Sequence, residues 1–297
     1  MAQSLHRRLA PTLLGAILLL GAGAAPAAPP ARIITMAPNL TEIVFSLGVG
    51  ERLVAVSEYS DFPPAARALP RAGGFINPDI ERVVAYEPDL VILRDYSTRL
   101  EEKLRAFSIP VLRVRDESIS DIMAAIRNIG EALGTESEAT SLMAAIEEDL
   151  EQFRRRPEPA HRPRVLLVTG RSPGTLQDLY APGSGTFLHE MIHLVGGENL
   201  FGDSKIPYPK LSKEEIIARD PEVIIEPVSA TSYSGARPDL EQWKGLGSLS
   251  AVRFGRLHLL EGDYILIPGP RIGQALRDLD GVIRAYGKEP PSSGQTQ

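Results

Sequence analysis

Residues 80–92 read IERVVAYEPDLVI, and residues 213–225 read KEEIIARDPEVII. Laid over each other at an offset of 133 residues, Glu81 falls on Glu214, Ala85 on Ala218, Pro88 on Pro221, Asp89 on Glu222 and Val91 on Ile224. Each copy predicts a short helix that stops before a proline, because the residue preceding proline is pushed out of the helical region. An acid and a wholly apolar strand follow. The chain therefore carries the same helix-to-strand unit of an α/β layer twice, once in each half.

A second pair of segments repeats at an offset of 148. Leu188, Met191, Ile192 and Val195 fall on Leu40, Ile43, Val44 and Leu47, while Glu190 and Gly196 fall on Glu42 and Gly48. This spacing predicts one buried helix face closed by a glycine cap. Each of these helices follows an apolar strand, RIITM at 32–36 and RVLLV at 164–168, with a longer loop in the second half. Between the halves, residues 136–155 place Leu142, Ala145, Ile146, Leu150 and Phe153 on one face without Gly or Pro, which predicts a single amphipathic helix of about 30 Å. The expected fold is α/β: two similar Rossmann-like lobes joined by one long bridging helix, with a ligand cleft between them. The expected boundaries are 32–135 for the N-terminal lobe, 136–161 for the bridging helix and linker, 162–287 for the C-terminal lobe and 288–297 for a flexible tail.

At 297 residues and 43% hydrophobic content the chain is long enough for two ordinary cores. Arg7 and Arg8, the apolar run 13–20 and the A-x-A site Ala25-Pro26-Ala27 read as a signal peptide over residues 1–27. Its apolar part is short for a membrane span. The sequence has no cysteine, so neither a disulfide framework nor a lipidated N-terminal cysteine is available. These features predict a periplasmic monomer that is not lipidated. Cleavage after Ala27 takes the formal charge from -6 to -8 by removing two arginines, and an acidic chain without a basic stripe argues against nucleic-acid binding.

One motif points elsewhere. His189, Glu190 and His193 spell H-E-x-x-H, the pattern by which two histidines on one helix face hold zinc while the glutamate activates water. A secreted zinc metalloprotease is thus one alternative. Against it, the position of a third ligand ten residues after His189 is Asn199, no methionine lies downstream for a Met-turn, and the twin helix carries Thr41 and Phe45 where the histidines stand. The scaffold does not need zinc, and no catalytic residue, metal or cofactor is expected.

Four further segments, SEYSDFPP at 57–64, GGFINPD at 73–79, GGENLF at 196–201 and IPYPKLSKE at 206–214, occur in the order seen in a known family. The chain resembles, from about Arg32 to Tyr286, the cobalamin-binding members of the helical-backbone metal-receptor type of periplasmic binding proteins. That type also serves haem and ferric siderophores. The resemblance implies that a corrinoid is captured between the lobes and delivered to an ABC importer, without covalent chemistry. It implies a cleft lined by Tyr59, Phe75 and Tyr208, a polar contact from Asp263, and docking of Glu81 and Glu214 onto the importer's permease. Rigid aromatic faces suit a large flat amphipathic ring. Tyr180 is added as a ligand-binding residue, with Tyr96, Tyr233 and Tyr264 as weaker additions. Where the family pattern has an arginine four residues after Asp263, this sequence has Ile267. A haem carrier would use an axial ligand such as Tyr59, and a siderophore carrier cations such as Arg94 or Arg171.

Overall fold

The computed structural model describes residues 28–74, 77–228 and 237–287. In the first half, strands β1 (Ile33–Thr35), β2 (Leu53–Val56), β3 (Leu90–Arg94) and β4 (Val111–Val114) form a parallel sheet in the order β2-β1-β3-β4. Helices α1 (Pro38–Ser46), α2 (Ile80–Ala85), α3 (Thr98–Ala106) and α4 (Ile119–Leu133) belong to this half. After α5 (Glu136–Arg154), the second half has β5 (Arg164–Leu167), β6 (Leu179–Tyr180), α6 (Phe187–Leu194), β7 (Glu198–Asn199), β8 (Lys210–Leu211), α7 (Lys213–Arg219), β9 (Val223–Val228), α8 (Ser250–Arg253), β10 (Leu257–Glu261) and α9 (Ile272–Ile283). Its main sheet is also parallel, in the order β7-β5-β9-β10. Matching β1, β2, β3 and β4 to β5, β7, β9 and β10 makes the two orders identical. The repeat read from the sequence is thus a repeat of topology.

The repeat also has a local physical cause. Glu87 and Asp220, equivalent at the offset of 133, both stand before proline with φ of 46°. Each leaves its short helix in a left-handed conformation, and the proline that follows prevents another helical turn. The acids that follow hold the entrance of each first strand: Asp89 accepts from the Ala31 and Arg32 amides at 2.8 and 2.9 Å, and Glu222 from the Arg164 amide at 3.0 Å. Arg32 and Arg164 in turn donate to the carbonyls at the ends of α2 and α7. The glycine caps expected for α1 and α6 are present, Gly48 with φ 76° and Gly196 with φ 88°.

The apolar interior departs from the expectation of two separate cores. One cluster runs through both halves, from Ile33, Leu40 and Ile126 through Ile146 and Leu150 to Leu167, Leu188 and Leu276. It joins the inner faces of the two main sheets through α1, α4, α5, α6 and α9. Smaller clusters cover the outer faces, around Val91 and Leu104 in the first half and around Ile224 and Trp243 in the second. Helix α5, 19 residues and about 28 Å long, joins the halves and places Ile146, Leu150 and Phe153 in the shared layer. Its approach to α9 is close enough that a Cβ at Gly273 would lie 1.7 Å from an Asp149 carboxylate oxygen. Among the described residues no helix is long and apolar enough to cross a membrane.

Candidate ligand-binding site

In open α/β sheets the usual place for a ligand is outside the carboxyl ends of the strands. On the first lobe, the segment after β2 carries Tyr59. Its support is built from buried hydroxyls: Thr35 and Thr41 are 2.7 Å apart, Thr41 and Ser60 3.0 Å, and Ser57 and Ser60 2.8 Å. Arg71 binds the Ser57 and Ser60 carbonyls and the Asp61 carboxylate from the other side. Held this way, Tyr59 adopts φ of 65° and leaves 54% of its surface exposed. Thr41, the counterpart of His189, is therefore a buried member of this support.

The second lobe contributes Tyr180 and Tyr208. Strands β6 and β8 pair antiparallel, with Tyr180 opposite Lys210. Hydrogen bonds from Gly183 to Pro207 and from Ser184 to Ser204 draw the two loops together. Both tyrosines line one cavity of about 610 Å³, with Gly170, Arg171 and Asp178. Tyr208 also feels the charges of Arg94, Asp116 and Glu117, so it lies near the first lobe. Although 37% of Tyr208 is open, burial pushes its phenol above the ordinary tyrosine range, and burial does the same for Tyr96. Both remain neutral hydrogen-bonding phenols.

The cations near the opening are already committed. Arg94 holds the buried carboxylate of Asp116, with Nε at 2.7 Å, and Asn39 Nδ2 donates to the same group at 2.8 Å. Burial raises the Asp116 carboxyl, with the Arg94 guanidinium and the Asn39 hydrogen bond opposing that rise. Arg171 pairs with buried Glu226 at 2.9 Å, and Trp243 Nε1 donates to the other oxygen of that carboxylate. Neither arginine is presented to an anionic chelate in the way a siderophore carrier requires.

Asp263 follows β10 and accepts from Arg271 Nη1 at 3.0 Å. Ile267, the position where the family pattern has arginine, is buried with 6% of its surface exposed. Arg271 also reaches Glu42 of the first lobe and lies 4.0 Å from the Phe62 ring centre. Arg271 and the half-exposed Phe62 were missed in the sequence reading. Phe62 stood inside the quoted SEYSDFPP, whereas nothing in the sequence pairs Glu42 with a residue 229 positions away. Tyr264 is tied to Asp278 and the Glu261 carbonyl. Tyr96 lies under the Arg94 guanidinium at 4.6 Å. Phe75 and Tyr233 lie outside the described residues, as do the signal segment and the 288–297 tail.

Glu81 and Glu214 are both exposed in the first turn of their short helices. Their neighbours do the capping: Asp79 caps α2, and Ser212 with Glu215 forms a capping box on α7. Neither glutamate has an ion-pair or side-chain hydrogen-bond partner among the described residues.

The H-E-x-x-H helix is not part of this opening. His189, Glu190 and His193 line a separate groove of about 620 Å³ between α4, α5 and α6. Asn199 Nδ2, whose orientation is fixed by its bond to the Pro182 carbonyl, faces His189 Nδ1 at 3.2 Å. Arg162 Nη1 faces His193 Nδ1 at 3.3 Å. Each Nδ1 therefore accepts a hydrogen bond, and in the neutral ring the proton resides on Nε2. Neither nitrogen then offers a lone pair to a metal. Glu190 is engaged as well, its Oε2 accepting from the Ile119 amide at 3.0 Å at the start of α4. All three side chains are thus engaged by neighbouring groups, and among the described residues no group of three His, Asp or Glu is placed to hold a metal ion. Glu190 and its counterpart Glu42 share a different task, since each reaches the start of the last helix of the opposite lobe, α4 for Glu190 and α9 through Arg271 for Glu42.

Two α/β lobes with a continuous core, and an aromatic cavity in the second lobe near the charges of the first, are the arrangement of a two-lobed ligand-binding protein. The chain belongs to the periplasmic binding protein family, whose model matches residues 33–264. The Vitamin B12-binding protein of Pectobacterium carotovorum subsp. carotovorum (strain PC1) is 31% identical over 200 residues, covering 66% of this chain and 71% of that one. The protein of the same name from Vibrio parahaemolyticus is 29% identical over 250 residues, covering 84% and 87%. Among solved structures, the periplasmic vitamin B12 binding protein of Vibrio cholerae is similar with a TM-score of 0.72 and 26% identity, covering 88% of this chain and 99% of that one. The apo periplasmic heme-binding protein from Roseiflexus sp. RS-1 is similar with a TM-score of 0.72 and 28% identity, covering 86% and 99%.

Proposed function

We propose that this protein captures cobalamin or a related corrinoid in the periplasm and delivers it to an ABC importer, performing no covalent chemistry. The observation that carries this reading is the opening itself, where Tyr180 and Tyr208 line one cavity, Tyr208 lies near the charges of the first lobe, and the nearby arginines are paired with buried carboxylates. Such a surface offers aromatic area and neutral donors and acceptors. It matches an amphipathic ring fringed with amides better than one bearing carboxylates. The relatives named for vitamin B12 support the same ligand. Tyr59, Phe75, Tyr180, Tyr208 and Asp263 are the proposed contacts.

Delivery is assigned to Glu81 and Glu214. They are equivalent in the repeat, exposed, and unpartnered among the described residues, so two matching carboxylates stand ready for cationic groups on a permease. The heme-binding neighbours make haem the competing ligand. The test is gel filtration of the mature protein, residues 28–297, mixed in turn with cyanocobalamin and with haem, followed by visible absorption of the protein peak. Co-migration of the corrinoid spectrum supports the reading. Retention of haem alone refutes the ligand assignment.

A further inference from the structure

Arg271 occupies a position that a ligand contact would not. Its guanidinium offers five N–H groups. Nε and Nη2 donate to the two oxygens of Glu42 at 2.8 and 2.5 Å, and Nη1 donates to Asp263 Oδ1 at 3.0 Å. The Phe62 ring lies 4.0 Å and the Tyr264 ring 5.1 Å from its carbon. The side chain is 14% exposed and that of Glu42 is 2% exposed. The fork is thus spent on two carboxylates from different lobes, with aromatic rings close by. A lysine could not reproduce this, because a single ammonium lacks the planar bidentate geometry.

We infer that Arg271 is a positioning residue between the lobes: bound to Glu42 of the opposite lobe, it fixes the Asp263 carboxylate where the two lobes meet. This rests on the corrinoid reading in so far as Asp263 is the contact that ligand uses. Arg271 itself is the N-cap residue of α9, and Glu42 sits on α1, whose apolar face belongs to the shared core. Asp263 is therefore referenced to the rigid centre of the molecule and not to the turn that carries it. Arg271 takes one carboxylate oxygen, and among the described residues nothing donates to the other, which can accept from a ligand amide.

The test is a double-mutant cycle on cyanocobalamin binding by the mature protein, using Asp263→Asn, Arg271→Lys and the pair, with Arg271→Met as a second replacement. If Arg271 acts through Asp263, each single substitution weakens binding roughly tenfold, and the double variant is no weaker than Asp263→Asn alone. Losses that multiply to roughly a hundredfold would overturn the inference, since two independent contacts behave that way. Amide hydrogen exchange on the free proteins is read in parallel. Arg271→Lys should speed exchange in residues 263–267 and leave β5 and β9 unchanged, whereas unchanged exchange at 263–267 would refute the positioning role. If the wild type binds no cyanocobalamin, the corrinoid reading falls while the exchange result still decides whether Arg271 positions this turn.

Discussion

Replacing Glu190 with alanine separates the structural role of the H-E-x-x-H motif from the catalytic one. The half-buried carboxylate accepts from the first amide of α4 at 3.0 Å and comes from the other lobe. Losing a side-chain acceptor at a helix N-terminus costs about 0.5–2 kcal/mol, and losing a carboxylate beside the positive end of the helix dipole costs about 0.3–1 kcal/mol. The capping box of Ser118 and Asp121 remains in place and limits the damage. A total near 1.5 kcal/mol is expected, which at roughly 2–4 °C per kcal/mol for a chain of this size lowers the thermal midpoint by about 3–6 °C. Glu190→Gln keeps an acceptor and should lose less than half of that. The assay is thermal unfolding followed by circular dichroism, with metal content measured on the same samples. A midpoint for Glu190→Ala within about 1 °C of the wild type would refute a stabilising role for the Glu190–Ile119 bond. Stoichiometric zinc that disappears with His189→Ala would refute the tautomer argument.

Further outcomes follow from the same geometry. Tyr208→Ala and Tyr180→Ala should each weaken cyanocobalamin binding by roughly tenfold, as expected for buried aromatic anchors, with little change in thermal midpoint. Asp116→Ala should cost about 1–3 kcal/mol of stability in urea unfolding, because it removes the buried carboxylate that accepts from both Arg94 and Asn39, and Asp116→Asn should cost less. Burial holds the His258 imidazole below its ordinary value of 6.5, so the unfolded chain takes up that proton first. Its contribution is full above pH 6.5 and is lost as the pH falls through the window beneath. Urea midpoints should accordingly drop less between neutral and mildly acidic pH in His258→Gln than in the wild type. Glu81→Ala with Glu214→Ala should leave ligand affinity unchanged and abolish co-purification with the importer's permease.

Much of the fold was legible because the repeat stands on residues with strong local preferences. The proline at 88 and 221, the acid beside it and the apolar run after it dictate helix end, turn and buried strand from neighbours alone. The glycine caps of α1 and α6 were readable for the same reason. The shared core was not, because the amphipathic face of α5 shows that it is buried but not against what. The site divides along the same line. Tyr180 and Tyr208 are brought together by a two-residue strand pairing and by loop contacts between residues 183–184 and 204–207, which leave no period in the sequence. Glu42 and Glu190 were visible as a matched pair, yet their partners Arg271 and Ile119 lie 229 and 71 residues away. Long-range polar pairing of this kind carries no local signal.

The central claim, that the cleft takes a corrinoid, is tested most directly by titration calorimetry of residues 28–297 with cyanocobalamin, alongside the Tyr208→Ala variant. One-to-one binding in the submicromolar range, weakened by the variant, is the expected result. No heat with cyanocobalamin, together with saturable binding of haem, would contradict it.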